Sequence, residues 1–269
     1  MDRIVPDCGF ALPSKVLFEV VGFMIQVSAI IITLNEEDRI GETIASLRFC
    51  DEVVVVDSGS TDTTCELATA CGARVMVRDW TGYSDQKNYA AGMASHDWIL
   101  SIDADERPSI ELANEIVAWK SGDQTGEVAA WSMPRKVQYL GRWISHSGWY
   151  PDRKPRLYDR RRARWAPALV HEGLQIDGAL ARFDSDLLHF PYRSLAEHYA
   201  TIDRYTRLAA TELRERGRRF NPLRLILGPP LYFMKSFLIR GGCLDGFPGL
   251  RIAYMGARYI FLREFRILR

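Results

Sequence analysis

Short apolar runs alternate with stretches of helical periodicity over the first half of the chain. Val27 to Ile32 (VSAIII) is an unbroken run with three β-branched residues in a row, the pattern of a strand buried on both faces. Ile40, Ile44 and Leu47 follow at helical spacing, and Glu52 to Asp57 (EVVVVD) is a second buried strand. A helix through Glu66 to Ala70, a short strand Arg74 to Val77 and a helix over Ser84 to Ala94 come next. Trp98 to Asp103 (WILSID) is the fourth strand, followed by an amphipathic helix carrying Leu112, Ile116 and Val117. Strands alternating with helices predict an α/β domain, with a mostly parallel sheet covered by helices on both faces. Further on, Ser194 to Arg216 has one apolar stripe (Leu195, Tyr199, Ile202, Tyr205, Leu208).

Composition adds little until charge is followed along the chain. With 269 residues, 47% hydrophobic and 26% charged, the protein is of ordinary globular make-up, which excludes collagen-like, coiled-coil and wholly disordered readings. Five scattered cysteines suit neither a disulfide scaffold nor a zinc cluster and point to a reducing compartment. The net charge of +1 hides a division: Arg204 to Arg269 holds 14 basic against 4 acidic residues, leaving 21 against 30 elsewhere. The basic tail is dense in Leu, Ile, Phe, Tyr and Met (PLRLILGPPLYFMKSFLIRGG, then LRIAYMGARYIFLREFRILR), which disfavours a nucleic-acid partner. No run reaches the roughly 20 apolar residues of a bilayer crossing. The expectation is a C-terminal amphipathic helical extension lying on an anionic membrane surface, the alternative being a helical subdomain packed on the core. Residues 1–23 carry no recognisable motif, the first residues are not a cationic secretory start, and Met24, just before the first strand, is a candidate initiator.

The chemistry-bearing residues fall at strand ends, where ligands bind in such sheets. The first strand ends in Thr33-Leu34-Asn35-Glu36, the second in Asp57-Ser58-Gly59-Ser60-Thr61-Asp62, the fourth in Asp103-Ala104-Asp105. Two carboxylates one residue apart can hold a hard divalent cation and leave positions for phosphate oxygens, as Mg2+ prefers. Asp57 and its glycine-containing loop suit a nucleoside, a carboxylate accepting from a base N–H or ribose hydroxyls. Asn35 and Glu36 would complete that pocket, and Lys87, in SDQKN, would offset phosphate charge. Neither GxGxxG nor GxxxxGK[ST] is present, which disfavours a dinucleotide site and a P-loop.

The ordered series TLNE, VVVVDSGSTD, GYSDQKN, WILSIDADE and VHE resembles the family 2 glycosyltransferases, most closely the subgroup building lipopolysaccharide inner core, typified by a β-glucosyltransferase acting on core heptose. The resemblance covers about Val27 to His189. It implies a GT-A (Rossmann-like) fold, inverting transfer, a nucleotide-diphospho-sugar donor with UDP-glucose favoured, and Mg2+ or Mn2+ as cofactor. It places Asn35, Glu36, Asp57 and Asp62 at the nucleoside, and Asp103 and Asp105 at metal and diphosphate. The QxxRW signature of processive synthases is missing, so single-sugar transfer is expected. The expected organisation is an extension (1–26), a glycosyltransferase domain (27–195, divided into a nucleotide half 27–106 and an acceptor half 107–195) and a membrane-associating region (196–269).

The acceptor half is rich in Trp, Tyr and Arg, with Arg153, Lys154, Arg156, Arg160, Arg161, Arg162 and Arg164 in close succession. Aromatic rings packing on sugars and arginines gripping phosphates or carboxylates would make an acceptor surface, with Trp149, Arg156, Arg164 and Trp165 as candidates. A lipid-linked acidic saccharide would suit it, at the cytoplasmic face of the inner membrane. For the catalytic base the expectation is Glu172, with His171 orienting it or contacting diphosphate or metal, and with Asp152 and Asp159 as alternatives. Competing readings are transfer to polyprenyl phosphate or to an exopolysaccharide or capsule repeat unit, and a non-catalytic membrane-bound assembly protein.

Overall fold

A computed structural model describes residues 24–122, 126–166 and 173–268. In chain order these form β1 (Val27–Thr33), α1 (Ile40–Ser46), β2 (Glu52–Asp57), α2 (Thr64–Ala70), β3 (Arg74–Val77), α3 (Tyr83–Met93), β4 (Trp98–Asp103), β5 (Glu106–Pro108) and α4 (Ile110–Lys120). There follow β6 (Val128–Tyr139), β7 (Arg142–Trp143) and β8 (Asp152–Asp159), several short strands, and the helices α5 (Leu195–Glu215), α6 (Pro222–Met234) and α7 (Gly246–Ile267). The chain forms two compact units. The first runs to Trp131 and adds Arg156–Arg164 and Ile176–Ala181; the second takes Ser132–Pro155, the described part of Trp165–Gln175, and the chain from Arg182 onward.

In the first unit β1 lies between β2 and β4, parallel to both, and β3 extends the sheet beyond β2. β8 closes the other side antiparallel to β4, with Leu100 opposite Leu157. The β-branched runs predict this well: Ile30, Ile31, Val54, Val55, Val56, Ile99, Leu100 and Ile102 are all buried, each removal of such a side chain from water contributing roughly 1.5–3 kcal/mol. α1 covers the sheet with Ile40 and Ile44, and α4 with Leu112, Ile116 and Trp119. Val117 faces outward instead of into the core, because the buried stripe runs 112–116–119 and leaves 117 on the far side. Ser109 caps α4 by accepting from the Leu112 N–H at 3.1 Å.

Strand order β3-β2-β1-β4 reverses direction of travel at β1. This is the topological switch point, where a crevice opens beyond the strands' carboxyl ends. Register fixes what stands there: Ile32 is opposite Asp103, and Thr33 opposite Asp57.

The second unit joins strands of the 132–155 segment to the C-terminal helices. Its core holds Tyr139, Ile144 and Ile252, with Leu140, Trp149 and Tyr192 packed against them. The Tyr139 hydroxyl and His198 Nδ1 are 2.9 Å apart. A boundary at residue 195 is therefore not where the compact units part: the 139–149 segment shares a core with α5 and α7, which composition and charge along the chain do not report. α6 buries no residue at all, and Leu223 (65% exposed), Ile226 (66%), Leu227 and Leu231 face outward. α6 and α7 approach closely, since a Cβ at Gly256 would collide with the Tyr232 ring. No described helix is long and apolar enough to cross a membrane.

Candidate active site

The turn after β2 is built around Asp57, a buried carboxylate. Its Oδ2 accepts from the N–H groups of Gly59 (2.9 Å) and Ser60 (2.7 Å), and its Oδ1 from the Ser60 hydroxyl. The Cys65 thiol, pushed up to about 11 by burial and by the Asp57 charge, stays protonated and is a further partner. These donors occupy most of the roughly four lone-pair positions of a carboxylate, so Asp57 sets the shape of the turn from within. Gly59 sits at φ 92°, where a side chain is strained.

The loops after β1 and β2 are laced together. Asn35, itself at φ 54°, donates its N–H to Ser60 Oγ (2.8 Å) and accepts the Thr61 N–H on Oδ1 (2.9 Å). The Glu36 N–H donates to Thr64 Oγ1 (2.8 Å). Asp62 accepts from the Thr64 N–H (3.1 Å) and hydroxyl and from the Glu37 N–H (3.3 Å). Burial raises the Asp62 carboxyl, but those hydrogen bonds outweigh it and hold the group below its ordinary value. Ser58 Oγ accepts from Gln86 Nε2 at 3.2 Å. Thr33 is buried at the end of β1, and its hydroxyl has no hydrogen-bond partner among the described residues. Such an orphan costs about 1–3 kcal/mol unless a ligand or water meets it.

Beyond β4 the charges alternate. Asp103 Oδ1 pairs with Lys87 Nζ at 2.9 Å, and its Oδ2 accepts from Arg156 Nη2 at 2.8 Å. Arg156 also grips Glu106 in bidentate fashion, Nε to Oε2 at 2.9 Å and Nη2 to Oε1 at 2.7 Å. Burial by itself would lower the Arg156 guanidinium; the charges of Asp103 and Glu106 outweigh it and raise it well above its ordinary value. Asp105 lies 4.0 Å from Arg39 Nη1, which is also 3.7 Å from Glu36. Lys87 is only 5% exposed, a buried cation held against Asp103 and not a solvated helix lysine.

Arg156 and Trp165 do not sit where an acceptor surface needs them. Both are buried, at 5% and 3% exposure, and the Arg156 guanidinium is committed to Asp103 and Glu106. The reason is the course of β8, which is half-buried over Asp152–Pro155 and fully buried from Arg156 to Asp159, so Arg156 is enclosed together with Leu157 and Tyr158. The rest of the basic run is divided among local partners: Arg153 with Asp184, Lys154 with Asp152, Arg160 with Asp97, Arg161 with Asp159. Arg164 is exposed, and its charge contributes to holding Asp85 anionic, after hydrogen bonds from Thr81 and Arg78. Trp149 stands edge-on to Tyr139, ring centres 5.7 Å apart, in the second unit. His171 and Glu172 lie outside the described residues. Sequence reasoning passed over Arg39, Gln86 and Glu106; the last two lie inside the quoted motifs SDQKN and DADE, whereas nothing local marks Arg39.

The family model for glycosyl transferase family 2 matches residues 28–174. The chain is a family 2 glycosyltransferase. Over 251 residues it is 35% identical to the lipopolysaccharide core biosynthesis glycosyltransferase LpsC of Rhizobium meliloti, covering 89% of this chain and 91% of that one. An uncharacterised glycosyltransferase of Rickettsia typhi is 32% identical over 257 residues, 91% of this chain and 88% of the relative. A looser likeness, at a TM-score of 0.47 and 22% identity, links it to glucosyl-3-phosphoglycerate synthase of Mycobacterium tuberculosis, solved with Mn2+, UDP and glucosyl-3-phosphoglycerate; it covers 72% of this chain and 80% of that one. In this glycosyltransferase the laced loops and the Asp103–Asp105 pair occupy the switch-point rim.

Proposed function

We propose that this glycosyltransferase moves a single hexose, glucose from UDP-glucose, onto a lipid-linked acidic saccharide of the lipopolysaccharide core, with inversion and with a divalent cation. The observation that carries the reading is the charge arrangement on the rim. Glu36, Asp103, Asp105 and Glu106 stand against Arg39, Lys87 and Arg156. Carboxylates and cations alternate there, so a diphosphate at this rim meets acidic side chains as well as basic ones, and a divalent cation between them balances the partly buried charge. The donor chemistry fits Mg2+ or Mn2+: Asp103 and Asp105 offer hard carboxylate oxygens one residue apart at the end of β4. Asp105, with Asp103 beside it, would hold the ion, which when bound supplies Lewis-acid neutralisation of a leaving diphosphate.

The chain's own residues do the rest. The Ser58–Thr61 turn and the Thr33 hydroxyl, with Asn35, Glu36 and Asp62 holding the loops, bind and orient the nucleoside. Lys87 and Arg156 keep Asp103 in place and supply positive potential to the diphosphate. Glu172, with His171 beside it, takes the proton of the acceptor hydroxyl as that oxygen attacks the anomeric carbon. The name of the Rhizobium relative supports the lipopolysaccharide core as acceptor. The outward-facing Leu223, Ile226, Leu227 and Leu231, on a segment with Arg224, Lys235 and Arg240 and no acidic residue between Arg216 and Leu244, support peripheral binding to anionic lipid at the cytoplasmic face of the inner membrane.

UDP-glucose with Mn2+ should raise the melting temperature of the protein by mass action, and Asp105→Asn should abolish the shift while changing the ligand-free melting point little. A shift of the same size after chelation would remove the metal from the account; transfer to polyprenyl phosphate but not to purified deep-core lipopolysaccharide would remove the acceptor. Flotation with phosphatidylglycerol vesicles should fall at least tenfold in an Ile226→Asp/Leu231→Asp variant. Equal flotation of both proteins would mean the face is not a membrane surface.

A further inference from the structure

The second unit contains a cavity of about 520 Å3, a size within the range of small-molecule sites. The rings of Trp149, Tyr192, Tyr205, Tyr232 and Tyr259 line it, and α5, α6 and α7 all contribute to its wall. The α6 helix that brings Tyr232 to the cavity turns the preceding residue, Leu231, outward at 65% exposure. We propose that the cavity holds the uncharged sugar headgroup of a membrane glycolipid, a hexopyranose, while the outer face of α6 rests on the surrounding lipid. The proposal concerns attachment to the membrane; it rests on the peripheral-membrane reading of α6 and deepens it.

A pyranose has an apolar C–H face and a rim of hydroxyls, and a tyrosine has an apolar ring and a polar tip, so the two match on both counts. Tyr205, Tyr232 and Tyr259 come from three different helices, and Thr201 adds a further hydroxyl-bearing side chain. Burial raises the Tyr259 hydroxyl above its ordinary value, which keeps it protonated and able to donate. Part of the wall is already formed. Tyr192 is stacked on His198 with ring centres 4.1 Å apart, and His198 Nδ1 is 2.9 Å from the Tyr139 hydroxyl, so little ordering is left for a ligand to impose. The ionisable groups at the wall do not call for a charged occupant. Burial lowers His198 to about 4, which leaves it a neutral hydrogen-bonding group, and Arg135 Nη2 donates to Asp152 Oδ2 at 2.6 Å, so that cation already has a carboxylate. A bare acyl chain is the poorer occupant, since it would cover the tyrosine and threonine hydroxyls with a group that cannot hydrogen-bond.

Two measurements on the full-length protein test this. In calorimetric titration methyl glucoside should bind, glucuronate should bind no more tightly, and octanoate should not displace the glucoside. In flotation, adding monoglucosyl diacylglycerol to phosphatidylglycerol vesicles should tighten binding about tenfold. Thr201→Leu, which puts a branched hydrocarbon at the wall, should abolish both glucoside binding and the gain from the glycolipid, with plain vesicles as the control. Tyr205→Phe, which keeps the ring and removes one hydroxyl, should weaken glucoside binding about three- to tenfold. Glucuronate binding tenfold more tightly than glucoside, displacement by octanoate, or full glucoside binding by Thr201→Leu would each overturn the uncharged sugar. Glucoside binding with equal flotation on both kinds of vesicle would overturn the glycolipid. Failure of the α6 face reads out separately, as equal flotation of wild type and Ile226→Asp/Leu231→Asp on plain vesicles, with the glucoside titration unaffected.

Discussion

Arg156 joins the rim to the core of the first unit, and its replacement separates two effects. Glu106 is 0% exposed and takes two bonds from the guanidinium, at 2.9 and 2.7 Å, while Asp103 takes the third at 2.8 Å. Arg156→Met keeps much of the side-chain volume but leaves the Glu106 carboxylate buried without its bidentate partner. Breaking a buried pair from one side costs about 3–5 kcal/mol, a large part of the 5–15 kcal/mol that holds a typical domain. With a urea slope of about 2–3 kcal/mol per molar, the midpoint should fall by about 1–2 M. The double variant Arg156→Met/Glu106→Leu removes both charges, and its stability should return to within about 1–2 kcal/mol of the parent. Donor binding should not return with it, because Asp103 has still lost one of its two cations. Urea denaturation followed by far-ultraviolet circular dichroism, with the UDP-glucose melting shift measured on each protein, distinguishes the cases. A single variant within about 1 kcal/mol of wild type would refute the account of Glu106 as an ion that depends on Arg156.

Two further outcomes follow from buried polar groups. Thr33→Val removes a hydroxyl without a partner among the described residues, so stability should hold or rise by about 0.5–1 kcal/mol while nucleotide affinity drops about three- to tenfold; a clear loss of stability in urea would mean that the hydroxyl is already satisfied within the fold. His198 titrates near 6.5 in the unfolded chain but only at about 4 when folded. The unfolded chain therefore takes up the proton first: the contribution is fully present above pH 6.5 and is lost as pH falls from there towards 4, by about 2 kcal/mol at about pH 5. His198→Phe should flatten that part of the profile, and wild-type and variant curves of equal slope between about pH 7 and 5 would contradict it.

The first unit was readable residue by residue because its signals are local. A β-branched run such as EVVVVD has one good home, a strand covered on both sides, and Glu52–Asp57 and Trp98–Asp103 begin and end where the pattern breaks. Their polar ends then carry Asp57 and Asp103 to one rim as a consequence of parallel register. Helix starts were legible for the same reason, Ser194 capping α5 by accepting from the Glu197 N–H.

The basic run from Arg153 to Arg164 was not readable in this way. Whether an arginine on a strand is a surface cation or the inner partner of a carboxylate depends on which face the strand presents, and that is set by its neighbour: β8 pairs with β4, so Arg156 turns to Asp103 and Glu106. The same holds for the second unit, where Tyr139, His198 and Ile252 meet across more than a hundred residues of chain. Hydrophobic period and turn chemistry fix which elements form, because they act over a few residues. Which buried charges pair, and which segments share a core, depend on contacts between distant positions, and only the folded chain decides them.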